Sequence, residues 1–541
     1  MYRLYFLILL AALLTVSGAA ISQALAEPIL EVRARIGPWP VISRLIGYRG
    51  RIWFANSVKG RNHNSADLWS LDPVTGKVRY ERHLYSQDAG IPLVHRGLLY
   101  WPFEDSRFSL GWGMVQVTDG QRWQPQLIPT AQIFHTNSLV AWRNRLLAVT
   151  SAWRTGLQIS GNGGRDWTPL YDHSTPKRRL SRFYEPRVLH DDLYGYLEDP
   201  DGIRLVRFTG DAFVAVPGWP ENKHFFALTR HQGQIMAVVR DNDLSQIWRT
   251  DGQTSEQISD QLAGLRIVDL ANDGTRLWAV SREDHGGRLW SSLDGGAWTK
   301  HARFSGGQPL SLHVIADKTY VAGAGDDGRG ILWGPPGHDM PPSDDPSPLP
   351  IPVSRPGGET DWQQIGTELD DVLSDFSSYE NHGRGRLRAL VFDAVKQGAP
   401  PGFFAQRLEV QLPEGTVQSF GGGLTVKAAD IGRTILFWGM GLSKQLGVPV
   451  AMIGRPWTAP ANSFEKYFDP QLAAIWAVAA AGQNDVATLD ALIARLDAEG
   501  DPLWLRAQVI GVLTALTGKR FAYNTDQWRA WWVESRPRWP K

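Results

Sequence analysis

Short apolar runs alternate with polar loops through roughly the first 300 residues, and the pattern returns about every 42 positions. The clearest copies are QIWRTDGQ around Trp248, RLWSSLDGGAW around Trp290 and GILWG around Trp333. Each follows an apolar run and a loop: IMAVVRDNDLS, LWAVSREDHGG and TYVAGAGDDGR. Earlier copies lie near Trp69, Trp123, Trp167 and Phe213, which makes seven. In the sixth copy LRIVDLAND, RLWAVSRE, RLWSSLDG and AWTKHARF are strand-length runs separated by Asn, Asp and Gly. Runs of that kind are hairpin signals.

Four-stranded units of this length, repeated radially, predict a seven-bladed β-propeller over residues 27–334. Unrelated sandwich domains would not hold the turn and the Trp in phase across all seven copies. The seventh copy supplies only three strands, SLHVIAD, TYVAGAG and GRGILWG, before running into proline. Its fourth is expected from ILEVRARI, residues 29–36, which would close the ring and cover exposed edges.

Three turns carry a family resemblance. SSLDGGAW (Ser292, Asp294, Gly296, Trp298) and ISGNGGRDW (Ser160, Asn162, Gly164, Trp167) resemble the Asp-box hairpin of sialidase-like propellers, and VTDGQRW (Thr118, Asp119, Gly120, Trp123) is similar to a shorter variant. The resemblance implies a structural turn, with the acidic or amide side chain bonding its own hairpin and the Trp packing between sheets. It transfers no chemistry: the arginine-Ile-Pro signature of sialidase domains is missing.

Residues 335–358, PPGHDMPPSDDPSPLPIPVSRPGG, predict an extended, semi-rigid linker. An α-rich mixed region is expected over 359–468, with helix broken near Asn381-His382-Gly383, a strand at RLEVQLP and helix again at ADIGRTILFWGMGLSKQLG. Gly421-Gly422-Gly423 reads as a turn, since the lysine of a phosphate loop is missing. Over 469–541 Leu489, Leu492, Ile493 and Leu496 recur at helical spacing, and the short helices resemble HEAT-type repeats. The ending with Leu516, Gly518, Phe521, Tyr523, Trp528, Trp531 and Trp532 is similar to the closing segment of bacterial HEAT-repeat proteins, which implies an aromatic cap. The fold class is therefore multidomain β plus α.

Composition narrows the setting. Residues 1–26 read as a signal peptide, with Arg3, the run LYFLILLAALL and cleavage after Ala26. Without the interruptions at Thr15, Ser17 and Gly18 the run would suit an uncleaved anchor. After cleavage no membrane span is expected. None of the 541 residues is Cys, which excludes disulfides, thiolate metal sites and a lipidated cysteine. A periplasmic or secreted bacterial protein held together by core burial follows as the expectation. Lys and Arg total 56 against 55 Asp and Glu, so nucleic acid is not an expected partner.

In a closed ring, loops entering the innermost strands and loops after the second strands share one face. That places His135, Tyr184, Glu185, Arg187 and His224 in the first set, and Arg61, His63, Glu104, Asp105, Trp153, Arg154, Glu198, Asp199, Glu283, Asp284, His285, Asp326 and Asp327 in the second. His135, Tyr184, Glu185, Arg187, His224, His63 and His285 are the candidate ligand-binding residues; no catalytic residue is assigned. Strand alternation would send Tyr184 and Glu185 to opposite faces. No metal site is expected, although Ca²⁺ in the Asp-rich loops is the one cofactor alternative. The reading is a binding or scaffold protein for a glycan, peptide or protein partner in the cell envelope. Its rival is a carbohydrate-active hydrolase or lyase at the channel mouth.

Overall fold

The computed structural model describes residues 28–58, 65–104, 113–128, 133–152, 154–174, 181–242, 244–259, 261–340, 348–350, 360–379, 383–419, 424–458 and 468–539. Strands are numbered β1–β30 in chain order. Seven four-stranded antiparallel sheets form a β-propeller, and eight α-helices follow among the described residues. The inner strands are β2 (Val41–Tyr48), β6 (Leu93–His95), β10 (Ile133–Trp142), β14 (Arg182–Leu189), β18 (His224–His231), β22 (Arg266–Asn272) and β26 (Gly307–Ile315). All seven sequence copies fall one to a sheet.

Tight turns set the blade geometry. Arg49-Gly50, Arg143-Asn144 and His190-Asp191 each place two successive residues at positive φ, the conformation that matches the twist of paired strands in a two-residue hairpin. Asn and Asp tolerate that region, and Gly enters it freely. The Asp-type turns behave as expected locally. Asp294 Oδ1 accepts from the Gly296 N–H at 2.8 Å, and Trp298 Nε1 donates to the Gly295 carbonyl at 2.8 Å. Asn162 Oδ1 accepts from the Asp166 N–H at 3.0 Å.

The ring closes through the N-terminal strand. β1 (Glu31–Ile36) pairs antiparallel with β28 (Gly330–Gly334) and completes the seventh sheet in the order β1-β28-β27-β26. Blade interfaces are separate apolar layers, for example Trp142, Phe183 and Phe208 between blades 3 and 4, and Val280, Phe304 and Trp333 between blades 6 and 7. Each large apolar side chain buried this way contributes about 1.5–3 kcal/mol.

The interface of blades 1 and 2 differs, because its core runs on into the helices. Trp53, Tyr80, Leu84, Tyr85 and Trp101 share one buried cluster with Trp438, Trp476, Leu505 and Val509. The helices are α1 (Trp362–Ser374), α2 (Gly383–Lys396), α3 (Ala428–Leu442), α4 (Gly447–Ile453), α5 (Pro470–Ala481), α6 (Val486–Arg495), α7 (Leu503–Thr517) and α8 (Thr525–Ser535). Asp469, Asp485 and Asn524 cap α5, α6 and α8 through their side chains, and Gly518 ends α7 at φ 70°. Leu489, Leu492, Ile493 and Leu496 are buried on one face, as their spacing requires. No helix among the described residues is long and apolar enough to cross a membrane.

A polar network locks this joint. Asp67, on β4 (Asp67–Leu71), accepts from Trp39 Nε1 at 2.8 Å and from the Tyr523 hydroxyl at 2.6 Å. His83 Nδ1 lies 2.7 Å from Asp67 Oδ1, and His83 Nε2 lies 3.1 Å from Gln508 Nε2 on α7. An amide nitrogen only donates, so His83 Nε2 is the acceptor and Nδ1 carries the proton toward Asp67. Gln508 Oε1 in turn accepts from Trp476 Nε1 at 2.8 Å. Gly511 permits the approach, since a Cβ there would stand 2.6 Å from His83 Cβ.

Two expectations need correction. RLEVQLP is not a strand: residues Gln406–Glu409 form a 3-10 turn, and the pair β29 (Thr416–Ser419) and β30 (Leu424–Lys427) lies further on. The apolar alternation there packs against helices rather than against a second strand. The linker is also not a free spacer where it is described. The Met340 side chain packs against the blade 7–1 core, Tyr320 and His338 meet at 3.1 Å, and Gln126 Nε2 donates to the Pro350 carbonyl at 2.6 Å. Proline cannot enter a ladder, but side chains and a carbonyl of this segment find partners on the blades. Asn381, His382 and Gly421–Gly423 lie outside the described residues.

Candidate functional site

Six inner strands carry a shift of register near their middle, and these bulges build the wall of the central channel. On β2 the shift falls between Ser43 and Ile46, with Arg44 at φ 58°. On β14 it falls between Tyr184 and Arg187, with Glu185 at φ 48°. On β18 Ala227 takes the same conformation at φ 59°. A bulge leaves residues out of the ladder and re-aims their side chains. Strict alternation therefore breaks just after Tyr184, where Glu185 leaves the ladder.

Two carboxylates on inner strands each tie one blade to the next. Glu185 Oε2 accepts from the Leu228 N–H of the following blade at 2.7 Å. Asp269 Oδ2 accepts from the Leu312 N–H of the blade after it at 2.8 Å, and its Oδ1 accepts from the Leu270 N–H at 2.9 Å. The N–H groups freed by the bulges are thereby satisfied. Burial pushes Asp269 up to about 7, helped by Glu185 and opposed by the backbone bonds and Arg187. Burial, reinforced by the Arg44 and Arg187 guanidiniums, pushes His313 down to about 3. Arg44, Asp269 and His313 thus lie on inner strands, as Glu185 and Arg187 do.

Toward the mouth, Tyr184 and Tyr196 pack at 4.9 Å between ring centroids. Arg182 Nη1 donates to the Tyr184 hydroxyl at 2.9 Å. Burial raises the Tyr184 phenol, Arg182 opposes that, and Glu198 and Glu104 add to it. His135 Nδ1 is hydrogen-bonded with the Glu104 carbonyl, linking blades 2 and 3.

The other candidates scatter. His224 is exposed, with its ring 5.5 Å from Phe226. His285 is exposed on the loop between β23 (Leu277–Glu283) and β24 (Gly286–Ser292), 3.8 Å from Asp326. Asp199 is spent on its own turn: burial would raise it, but bonds from Arg204 and His173 outweigh that and hold it low. Asp327 pairs with Arg329 at 2.6 Å, and Glu283 with Arg288 at 3.6 Å. His63, Arg61, Asp105, Trp153 and the Arg154 side chain lie outside the described residues. Among the described residues no group of three or more His, Asp and Glu stands close enough to hold a metal ion. Arg44, Asp269, His313 and Tyr196 were not among the sequence candidates. Their signal was a residue's place at mid-strand in the repeat, not its place in a loop.

No protein-family model matches the chain, and no curated protein is similar to it. Solved structures match it in fold. The β-propeller domain of the trilobed protease from Pyrococcus furiosus is 12% identical, with a TM-score of 0.41, covering 57% of this chain and 100% of that one. A polysaccharide lyase is 9% identical, with a TM-score of 0.39, covering 58% and 93%. The acylaminoacyl peptidase of Pyrococcus horikoshii is 11% identical, with a TM-score of 0.38, covering 56% and 52%.

Proposed function

We propose that this chain is a periplasmic or secreted binding protein whose propeller channel takes a polar glycan, peptide or protein segment, while the helical region adds a second interaction surface. The observation that carries this reading is the engagement of the channel's chemistry. Glu185 and Asp269 hold backbone amides, and Tyr184 is raised and already accepts from Arg182. A glycosidase needs one carboxyl free to give a proton and another group free to attack or to activate water. The wall instead offers guanidiniums, imidazole and aromatic rings, which suit recognition. The Asp-type turns support kinship with sialidase-like propellers, and the paired helices α5–α7 support kinship with HEAT-type repeats, as folds only.

An array of envelope glycans and peptides, probed with the full chain, tests the reading. Binding is expected, and His135→Ala, Arg187→Gln or His224→Ala should weaken it. Unchanged binding in all three variants would remove the channel face from consideration. The rival hydrolase or lyase would draw on Tyr184, with Glu104 and Glu198 acting on it electrostatically. It would show as released saccharide fragments from a bound glycan.

A further inference from the structure

We propose that the seam between blade 1 and the turn joining α7 to α8 binds a protonated oxyanion, held by Arg51, Arg79 and Arg520 and selected by Glu81. The class is inorganic phosphate or the singly charged form of a phosphate monoester. The site lies on β3 (Arg51–Ser57), β4 and β5 (Val78–His83), outside the inner strand of that blade, and does not depend on the channel reading.

A bulge delivers the carboxylate. Leu68 pairs with Arg82 and Trp69 with Tyr80, so Glu81 is left out of the ladder and its side chain is re-aimed. The carboxylate is fully buried and unevenly served. Oε1 accepts from Arg79 Nε at 2.8 Å, from Arg79 Nη2 at 2.7 Å and from the Ser70 hydroxyl at 2.5 Å. Oε2 accepts no hydrogen bond among the described residues, and Arg520 Nη2 stands 3.5 Å from it. Native structures satisfy nearly all buried polar atoms, so such an acceptor marks a missing donor.

The guanidiniums, all partly exposed, have donors to spare. Arg51 Nε donates to the same Ser70 hydroxyl at 2.7 Å, while its Nη1 stands 3.8 Å from Asp72. Asp72 is already turned to the N–H groups of Val74 and Thr75, both at 3.0 Å. Arg520 makes no hydrogen bond among the described residues. Burial lowers Arg51 and Arg520, the neighbouring Arg79 lowers both further, and Glu81 opposes this. Three guanidiniums against Glu81 and Asp72 leave an excess of positive charge.

Spare cationic donors call for an anion, and guanidinium forks match phosphate oxygens. The orphaned Oε2 selects which anion. It repels an oxyanion that has lost all its protons but accepts a hydrogen bond from a P–OH. Hydrogen phosphate carries such a proton near neutrality, and a phosphate monoester keeps one below its second pKa of about 6. Sulfate and phosphodiesters, lipid headgroups of that type included, have none. Arg520, on a turn outside the helices and held by charge alone, swings off Oε2 and onto the ligand as it enters.

Calorimetric titration of the full chain with sodium phosphate at pH 7, against sodium sulfate at the same ionic strength, tests this. Saturable phosphate binding is expected, at least about tenfold tighter than that of sulfate. Arg520→Gln should weaken phosphate binding about tenfold or more, and Arg520→Lys less. Glu81→Gln, whose amide donates where the carboxylate accepted, should let sulfate bind as tightly as phosphate. Methyl phosphate at about pH 5.5 identifies the source. Its binding means that a monoester group on a larger molecule fits, and its failure beside phosphate binding means that the free ion is the occupant. No saturable phosphate binding by the parent, equal affinity of the parent for sulfate and phosphate, or undiminished binding by Arg520→Gln would overturn the proposal.

Discussion

Asp269 and His313, on neighbouring inner strands, are shifted in opposite senses. Asp269 keeps its proton up to about 7 in the fold but loses it near 3.8 in the unfolded chain. The folded state binds more protons in that window, so its share of stability is full below about 4 and is lost as pH rises through 7. His313 is the reverse, at about 3 in the fold against 6.5 unfolded. Its share is present above 6.5 and is lost as pH falls toward 3. Between about 4 and 6.5 the two oppose each other. His313→Gln should leave a protein whose urea midpoint rises from pH 7 to pH 4, while Asp269→Asn should leave one whose midpoint falls from pH 6.5 to pH 4. If both variants retain the parent's profile, neither shift is real.

At the scale of elements, β1 is the piece without which the wheel has an open blade. Its pairing with β28 covers an edge that holds Ile331, Leu332 and Trp333, all fully buried. Removing residues 27–38 exposes that ladder and the apolar layers beside it. Cooperative thermal unfolding should be lost, and the truncated chain should aggregate. A truncated protein melting like the parent would refute closure by this strand. Blades and closure were legible because alternation, turn residues and indoles repeat seven times and reinforce one another. The bulges were not: nothing in ISRL or YEPR marks the residue that leaves the ladder, so Arg44 escaped notice, and Asp269 and His313, paired within their strands, look like any polar strand position. RLEVQLP misled for the complementary reason, since a short apolar alternation is decided by what it packs against.

At the scale of the molecule, the helices and the ring share a core instead of hanging on a spacer. Asp67, His83 and Gln508 are fully buried, and the last is 425 residues from His83. No local pattern announces such a contact; a lone Asp or His in a strand looks like any polar outward position. Gln508→Ala strands the Trp476 indole N–H and the His83 Nε2 lone pair, at about 1–3 kcal/mol for each orphaned group. Calorimetry should then resolve a helical transition melting below that of the propeller, where the parent gives one. Two equal transitions in both proteins would mean that the network does not couple them.

Hydrogen exchange of the full chain, with and without a ligand found on the array, addresses the binding site most directly. Added protection is expected on the inner strands around residues 41–48, 182–189 and 307–315 and on the loops that open onto them. Protection confined to the outer strands or to the helices would contradict the channel as the place where this protein meets its ligand.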